Sequence, residues 1–457
     1  MALGNGRRVV ITGMGWVTPL GSDVDSVWTK LLAGQTGIGP ISRYDARTFE
    51  TNFAAEVKNF ELFDFMDEAS NRHARAGLST QFALAAAAQA WQQSGLGDKT
   101  GGRAGAEAAG IDPDDVGIYL GAGEGSLDYD CFIRSNLAGY FAGDGREGDM
   151  VKFAEVAMER INAANEVEQE PNLTVAHLAT AFGARGPSMN CMTACAASTQ
   201  AVGEATEIIK RVDADVMLAG GAHSMIHLLG MTGFARLTAM SARRDDPMSA
   251  SRPFDKTRDG FVMGEGAGIV VLESLESAQE RGATPLAEIA GFGSSADAYR
   301  ITDIDPEGMG AVKAMRRALE QAGINPVEPD EHGRAPVQYV SAHGTGTSEN
   351  DGIETKAVKA TFGPQASKVC FPSLKSMTGH LIQAAGAVEL IACVKSIQTG
   401  FIPPTANLHN PDPECDLDHV PNEPRDLRDH GGVNVCLSNS FGFGGQNDTV
   451  CVTRVRE

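Results

Sequence analysis

Three side chains could carry covalent chemistry: Cys195 in CMTACAASTQA, His343 in AHGTGT and His380 in SMTGHLIQAAG. Cys195 is followed by AASTQAVGEATEIIKRV, a small-residue run with a helical pattern. A thiol at a helix N-terminus sits at the positive end of the macrodipole, which favours thiolate and so a nucleophile. An isolated cysteine is ordinarily a small buried hydrophobe, so the assignment rests on context. The stretch holding His380 repeats the one holding Cys195. Both carry Pro-Ser upstream and Met-Thr before the reactive position, at constant spacing: 372 − 187 = 185 and 380 − 195 = 185. The same displacement places Glu204 on Glu389. The two segments therefore read as copies of a duplicated unit, with histidine in the second at the place cysteine holds in the first. His343 ends a strand-like run, where a core histidine bonded to backbone is the plain alternative.

The elements that must position these residues alternate along the whole chain. Strand-like runs at VVITGMG, VGIYLGAG, DVMLAGGA, GIVVLES, VQYVSAHG and NVCLSNS are separated by amphipathic helical patterns, which is the signature of an α/β fold. A second pair of landmarks supports duplication: Tyr119 and Tyr339 are 339 − 119 = 220 apart, as are Ala122 and Ala342. The larger displacement means that the first half carries extra residues between its landmarks. They include an acidic segment, 144–171, whose helical middle is flanked by Gly and Pro signals. The halves are placed at 1–283 and 284–457, related by a pseudo-twofold that would bring corresponding helix ends toward one centre.

Composition excludes several classes. At 457 residues the chain exceeds a single core. Its 42% hydrophobic content, 53 glycines and 6% aromatic residues fit a globular enzyme with many tight turns. A net charge of −21 argues against nonspecific nucleic-acid binding; an acidic partner would need a local basic patch. No run approaches ~18 apolar residues, and RRVVITG reads as a first strand with no leader before it, so no membrane span and a cytoplasmic location are expected. The eight cysteines lack C-x-x-C pairs, so reduced thiols are expected and a zinc site is not.

Taken together, RRVVITGMGWVTPLG, GPSMNCMTACAAS, SRPFDKTRDGFVMGEGAG, AHGTGT, KSMTGHLIQAAGAVE and NSFGFGGQN resemble the β-ketoacyl-acyl carrier protein synthases, most closely the elongating type II condensing enzymes. The resemblance covers nearly the whole chain. It implies a thiolase-like fold of five layers, αβαβα, and decarboxylative condensation of an acyl-enzyme thioester with malonyl-acyl carrier protein. Substrates would arrive on the carrier's phosphopantetheine with no further cofactor and no metal. Cys195 would hold the acyl chain, and His343 and His380 would donate hydrogen bonds to the enolate oxygen formed on loss of CO2. Backbone N–H groups of Cys195 and Phe443 would form the second oxyanion hole, with Phe443 as gate between glycines. Lys375 and Glu389 would set histidine protonation, with Asp351 and Glu354 in support. Thr302, Thr345 and Thr347 match positions that bind the pantetheine arm, and Phe441 matches a substrate-binding position. A homodimer is implied, with Arg72 and Arg75 on a basic carrier-facing helix. Arg236, with Arg243 and Arg244 beside Asp245 and Asp246, would compensate for Thr238, which stands where a carrier-contacting arginine is common.

Degradative thiolases share the implied fold but use a second cysteine near the C-terminal Gly-rich loop. NSFGFGGQN has none, and Cys436 lies earlier in an apolar strand. A noncatalytic chain-length-factor-like subunit would lack the nucleophile. Fatty-acid elongation and specialised polyketide or polyene synthesis stay open. Glu124 stands at a position resembling one at the bottom of the acyl pocket that is apolar in the housekeeping enzymes, where a carboxylate disfavours a long saturated tail. The alternative turns Glu124 into the dimer interface, paired with a basic residue.

Overall fold

The computed structural model describes residues 6–97, 103–123, 128–143, 147–301, 303–330 and 332–456. The apolar runs form nine strands: β1 (Val9–Val17), β2 (Val116–Gly121), β3 (Ser188–Cys191), β4 (Val216–His223), β5 (Gly266–Ser274), β6 (Ala287–Ala296), β7 (Tyr339–Ser341), β8 (Val435–Gly442) and β9 (Gln446–Thr453). They hydrogen-bond in the order β3-β2-β4-β5-β1-β6-β9-β8-β7. β1, β4 and β5 are buried at every residue, which is why they read as near-continuous apolar runs rather than alternating ones.

A seam divides this sheet. β1 pairs with β5 along eight positions but with β6 at only two, Val10 with Glu288 and Ile11 with Ala287. On either side the pairing is the same. β2 and β4 run parallel, as do β7 and β8; β4 with β5, β8 with β9, β5 with β1 and β9 with β6 run antiparallel. The partner of β3 in the second half shrinks to one parallel bridge, Tyr339 with Cys370.

The helices complete five layers. α1 (Leu78–Ser94) covers the outer face of β1 and β5, and α6 (Met309–Gln321) covers that of β6 and β9. Between the two halves of the sheet lie α5 (Ala197–Lys210) and α8 (Ala385–Thr399), each touching strands of both halves. A helix squeezed on two sides must be small or apolar all round. A Cβ on Gly203 of α5 would lie 2.2 Å from the Phe292 ring, and thirteen residues of α8 are buried. The same close approach explains Gly13 on β1, where a Cβ would lie 1.9 Å from the Ala90 carbonyl oxygen of α1.

The extra residues of the first half form α2 (Tyr129–Ala142) and α3 (Met150–Arg160), packed as a pair, before α4 (Leu173–Phe182). α7 (Ser348–Phe362) follows the second Gly-Thr turn. None of the eight cysteines is in a disulfide.

Candidate active site

Cys195 is set by a backbone turn. Ala194 takes φ 47°, a left-handed value uncommon for a residue with a Cβ. One 3-10 turn, Ala194–Ala196, then runs into α5. The thiol is 3% exposed and lies at the N-terminal end of the buried helix. His343 follows the end of β7, and its backbone N–H and that of Gly344 each donate to the Glu354 carboxylate on α7 at 2.8 Å. His380 leaves Gly379, whose φ of 65° lets the chain turn sharply.

The three side chains converge. His380 Nε2 lies 3.0 Å from Cys195 Sγ, and the His343 and His380 rings meet edge to face at 5.4 Å. One donor atom of each of the three lies within 4.8 Å of the others. Among the described residues this is also the group of side chains able to share a metal ion.

The electrostatics favour neutral imidazoles. Burial, and next the Lys375 charge, push both histidines well below their ordinary value. Nδ1 of each ring is buried with no hydrogen-bond partner, so a second proton would add an unpaired donor in a dry site. Lys375 itself is buried against Glu389, Nζ to Oε1 at 2.5 Å. Burial pushes Glu389 up to about 7 against the opposing pull of Lys375. Burial likewise raises Glu354 to about 7, helped by the Asp351 charge, against three hydrogen bonds, from the backbone N–H groups of Gly344 and His343 and from the Asn439 side chain.

The supporting residues fall around this centre. Asp351 is buried and accepts from the backbone N–H groups of Phe254 at 2.9 Å and Gly346 at 3.1 Å, holding the Gly-Thr turn. Thr345 and Thr347 hydroxyls lie 3.0 Å apart, and Thr347 caps α7 by accepting from Asn350 N–H. Phe441 is buried, its ring 5.8 Å from His343. Phe443 is 44% exposed, just beyond the end of β8. There the backbone runs close to the nucleophile: a Cβ on Gly442 would lie 2.9 Å from the Thr193 carbonyl oxygen and 3.5 Å from the Cys195 nitrogen. Arg72, Arg75 and Arg236 are exposed, and Arg72 lies in the 3-10 helix Glu68–His73. Glu124 and Thr302 lie outside the described residues.

The duplication holds for the backbone but not at the register read from the sequence. The second half repeats the turn at Ile382, φ 39°, followed by the 3-10 turn Ile382–Ala384 and then α8. The displacement is 382 − 194 = 188 and 385 − 197 = 188. The structural counterpart of Cys195 is therefore Gln383. His380 corresponds to Met192, and Glu389 to Ala201 rather than Glu204.

Sequence reasoning also missed the surroundings of the thiol. Cys195 packs in an apolar cluster with Ile226, Met231, Met240, Phe261, Met263 and Ile382. Its signal was present in the Met- and Phe-rich runs 225–240 and 261–263, without spacing to point at the cysteine. Asn439 was also missed; its Nδ2 donates to Glu354 at 3.3 Å.

A buried thiol at a helix N-terminus, facing two neutral histidines across the junction of two like halves, defines a condensing enzyme of thiolase-like fold. The chain matches the family described as "Beta-ketoacyl synthase, N-terminal domain" over residues 6–278 and "Beta-ketoacyl synthase, C-terminal domain" over 286–409. It is 41% identical to the 3-oxoacyl-[acyl-carrier-protein] synthase 2 of Coxiella burnetii, over 98% of this chain and 99% of that one. It is 39% identical to the Synechocystis protein of the same name, over 97% of each. Among solved structures it superimposes, at TM-score 0.82 and 31% identity, on a chain of a type II PKS acyl-carrier protein in complex with its ketosynthase bound to the hexaketide; the match covers 99% of this chain and 100% of that one. A beta-ketoacyl synthase from Burkholderia phymatum matches at TM-score 0.81 and 32% identity, over 98% and 100%. The chain belongs to the beta-ketoacyl synthase family. It is an acyltransferase that elongates acyl chains by condensation.

Proposed function

We propose that Cys195 accepts a fatty acyl group from acyl carrier protein as a thioester, releasing the carrier thiol. A malonyl-carrier thioester then binds. Its C–C bond to the carboxylate breaks, CO2 leaves, and the electron pair becomes an enolate whose oxygen accepts from Nε2–H of His343 and His380. The enolate carbon attacks the acyl carbonyl, and the Cys195 thiolate departs as the 3-oxoacyl-carrier forms. In the acyl-transfer step the tetrahedral oxyanion is held by the N–H groups of Cys195 and Phe443. The observation that carries this reading is the contact of Cys195 with a neutral, buried His380 beside His343.

Lys375 acts through charge: a buried cation keeps the imidazoles in the form that donates one proton and keeps it. Thr345 and Thr347, with Thr302, bind the pantetheine arm, and the exposed Arg72, Arg75 and Arg236 receive the acidic carrier. This chemistry draws on no cofactor beyond the carrier's own arm. The edge strand β3, with Met189 at 41% exposure and Met192 just beyond its end at 55%, offers an unpaired ladder to a second copy. Phe132, Tyr140 and Phe141 on α2 are exposed as well, which supports a homodimer. The halves 1–283 and 284–457 act as the nucleophile and histidine halves of one unit. No described helix is long and apolar enough to cross a membrane, and we place the enzyme in the cytoplasm.

A second reading, polyketide elongation, is favoured by the full-length likeness to the hexaketide-bound ketosynthase complex. Acylation by saturated against polyketide carrier thioesters separates the two. The core mechanism is tested by intact mass and CO2 release. His343→Ala and His380→Ala should keep forming the acyl adduct while condensation falls about 10²–10³-fold. Loss of acylation to the same extent would overturn the division of labour.

A further inference from the structure

The backbone of His380 is gripped from both sides by one short segment. Its N–H donates to the Val262 carbonyl at 2.7 Å, and its carbonyl accepts from the Gly264 N–H at 2.9 Å. That segment is braced in turn by Ala55, whose N–H donates to the Met263 carbonyl at 2.8 Å and whose carbonyl accepts from the Glu265 N–H at 3.3 Å. Residues 262–265 are thus the middle of a short three-part ladder with His380 on one side and Ala55 on the other. The packing leaves no slack. A Cβ on Gly264 would lie 2.6 Å from the Thr378 carbonyl oxygen, and one on Gly379 would lie 2.9 Å from that of Val262. A displacement of 262–265 therefore passes directly to His380. The Phe261 ring also meets the His380 ring edge to face at 5.4 Å.

Glu265 anchors this ladder. Its side chain is fully buried, and its carboxylate accepts from Val57 N–H at 2.8 Å, from Ser224 Oγ at 2.9 Å and from both terminal nitrogens of Arg43, Nη1 at 2.5 Å. One carboxylate ties the loops at residues 43, 57 and 224 to the strand that holds the histidine. Burial alone would favour its neutral form, and the Arg43 guanidinium, 29% exposed at its outer side, is the charge that opposes this. A bidentate arginine fixes direction as well as charge, and a half-paired buried carboxylate is costly enough to relocate its segment.

We propose that the Glu265–Arg43 ion pair positions His380 for the decarboxylative step, acting through the backbone of residues 262–264. Neither side chain touches the reacting atoms. The proposal rests on the reading of His380 as an enolate donor. It predicts a split between half-reactions, because the backbone of Cys195 is set by its own turn and by α5, and the ladder meets the thiol only through the Phe261 and Met263 side chains packed beside it.

The test compares Glu265→Gln, which keeps the shape and two neutral hydrogen bonds, with Arg43→Gln, which removes the same ion pair from its partly exposed end. Acyl transfer to Cys195 should stay within about threefold of wild type while CO2 release and condensation fall about 10–100-fold, the scale of a small misplacement of a catalytic group. Arg43→Lys, with charge but no fork, should recover part of the condensation rate. Should Glu265→Gln protein fail to fold, Arg43→Gln carries the same comparison alone. A proportional fall in both half-reactions, tracking a lower Tm, would mean a merely structural role and overturn the proposal. No change in either would do so too. His380→Ala run in parallel locates the failure. If it spares CO2 release, the reading of His380 is wrong and the proposal falls with it; if it abolishes CO2 release while both ion-pair variants leave it intact, only the positioning role is wrong.

Discussion

At Ala194 in the first half and Ile382 in the second, the backbone enters positive φ, makes one 3-10 turn and starts a long helix in the middle layer. The first turn carries Cys195 and the second Gln383. Both helices are nearly encased, and they meet directly: Ser198 Oγ on α5 accepts from the Ala387 N–H of α8 at 3.0 Å. The same device thus presents a thiol on one side and an amide on the other. The histidine that completes the chemistry comes from two residues before the second turn, where a glycine with positive φ and the ladder to 262–264 hold it. Duplication copied the scaffold, and function arose where the copies differ.

The sharpest way to break this comparison is to remove both side chains in turn. Cys195→Ala should abolish the acyl adduct, a fall of at least about 10³-fold in transfer. Gln383→Ala, at the matching place, should leave transfer within about threefold. Intact mass spectrometry after incubation with an acyl carrier thioester reads both, and equal losses would erase the distinction between the two turns.

Lys375 belongs to the histidine side alone. Its charge helps to keep the neutral, donating imidazole at His343 and His380; removing it raises their pKa, so protonation sets in at higher pH. Lys375→Met should therefore shift the acid limb of condensation upward. Burial still holds both imidazoles below their ordinary value, so the drop against wild type should reach about tenfold only near pH 5.5, with little change at pH 8. A rate profile across pH 5.5–8.5 checks this, and an unmoved limb would leave Lys375 only a packing role.

The smallest expected effect treats the two sides alike. Arg72→Glu with Arg75→Glu should raise KM for acyl carrier about 5–10-fold at low salt in both half-reactions, the effect fading as salt screens the charge. An increase in one half-reaction only would mean that the two carriers dock at different places.

Much of this was legible beforehand. Strand runs, the small-residue helix after Cys195 and the Gly-Thr turn after His343 are local features, and the alternation of elements gave the α/β class. The family resemblance then picked out the Cys, His and Lys positions that the fold brings together. Other features had no local signal. Met231, Met240, Phe261 and Met263 are ordinary apolar residues until the chain brings them to Cys195. Glu265 is one carboxylate among 59 acidic residues until Arg43, 222 positions away, closes on it.

By itself the sequence determined which residues could react and which segments become strands and helices, because both depend on side-chain chemistry and on periods of two and 3.6 residues. It did not determine which residues of the two copies correspond. A displacement of 185 aligns identical letters, and sliding letters costs nothing. The tertiary structure sets 188 here, because the positive-φ turn and the start of the buried helix repeat together. A helix packed on both sides cannot slide along its axis without opening voids and clashes. That steric condition, together with the close backbone contacts around Gly264 and Gly379, brings the His380 ring rather than the matched residue Gln383 to the thiol.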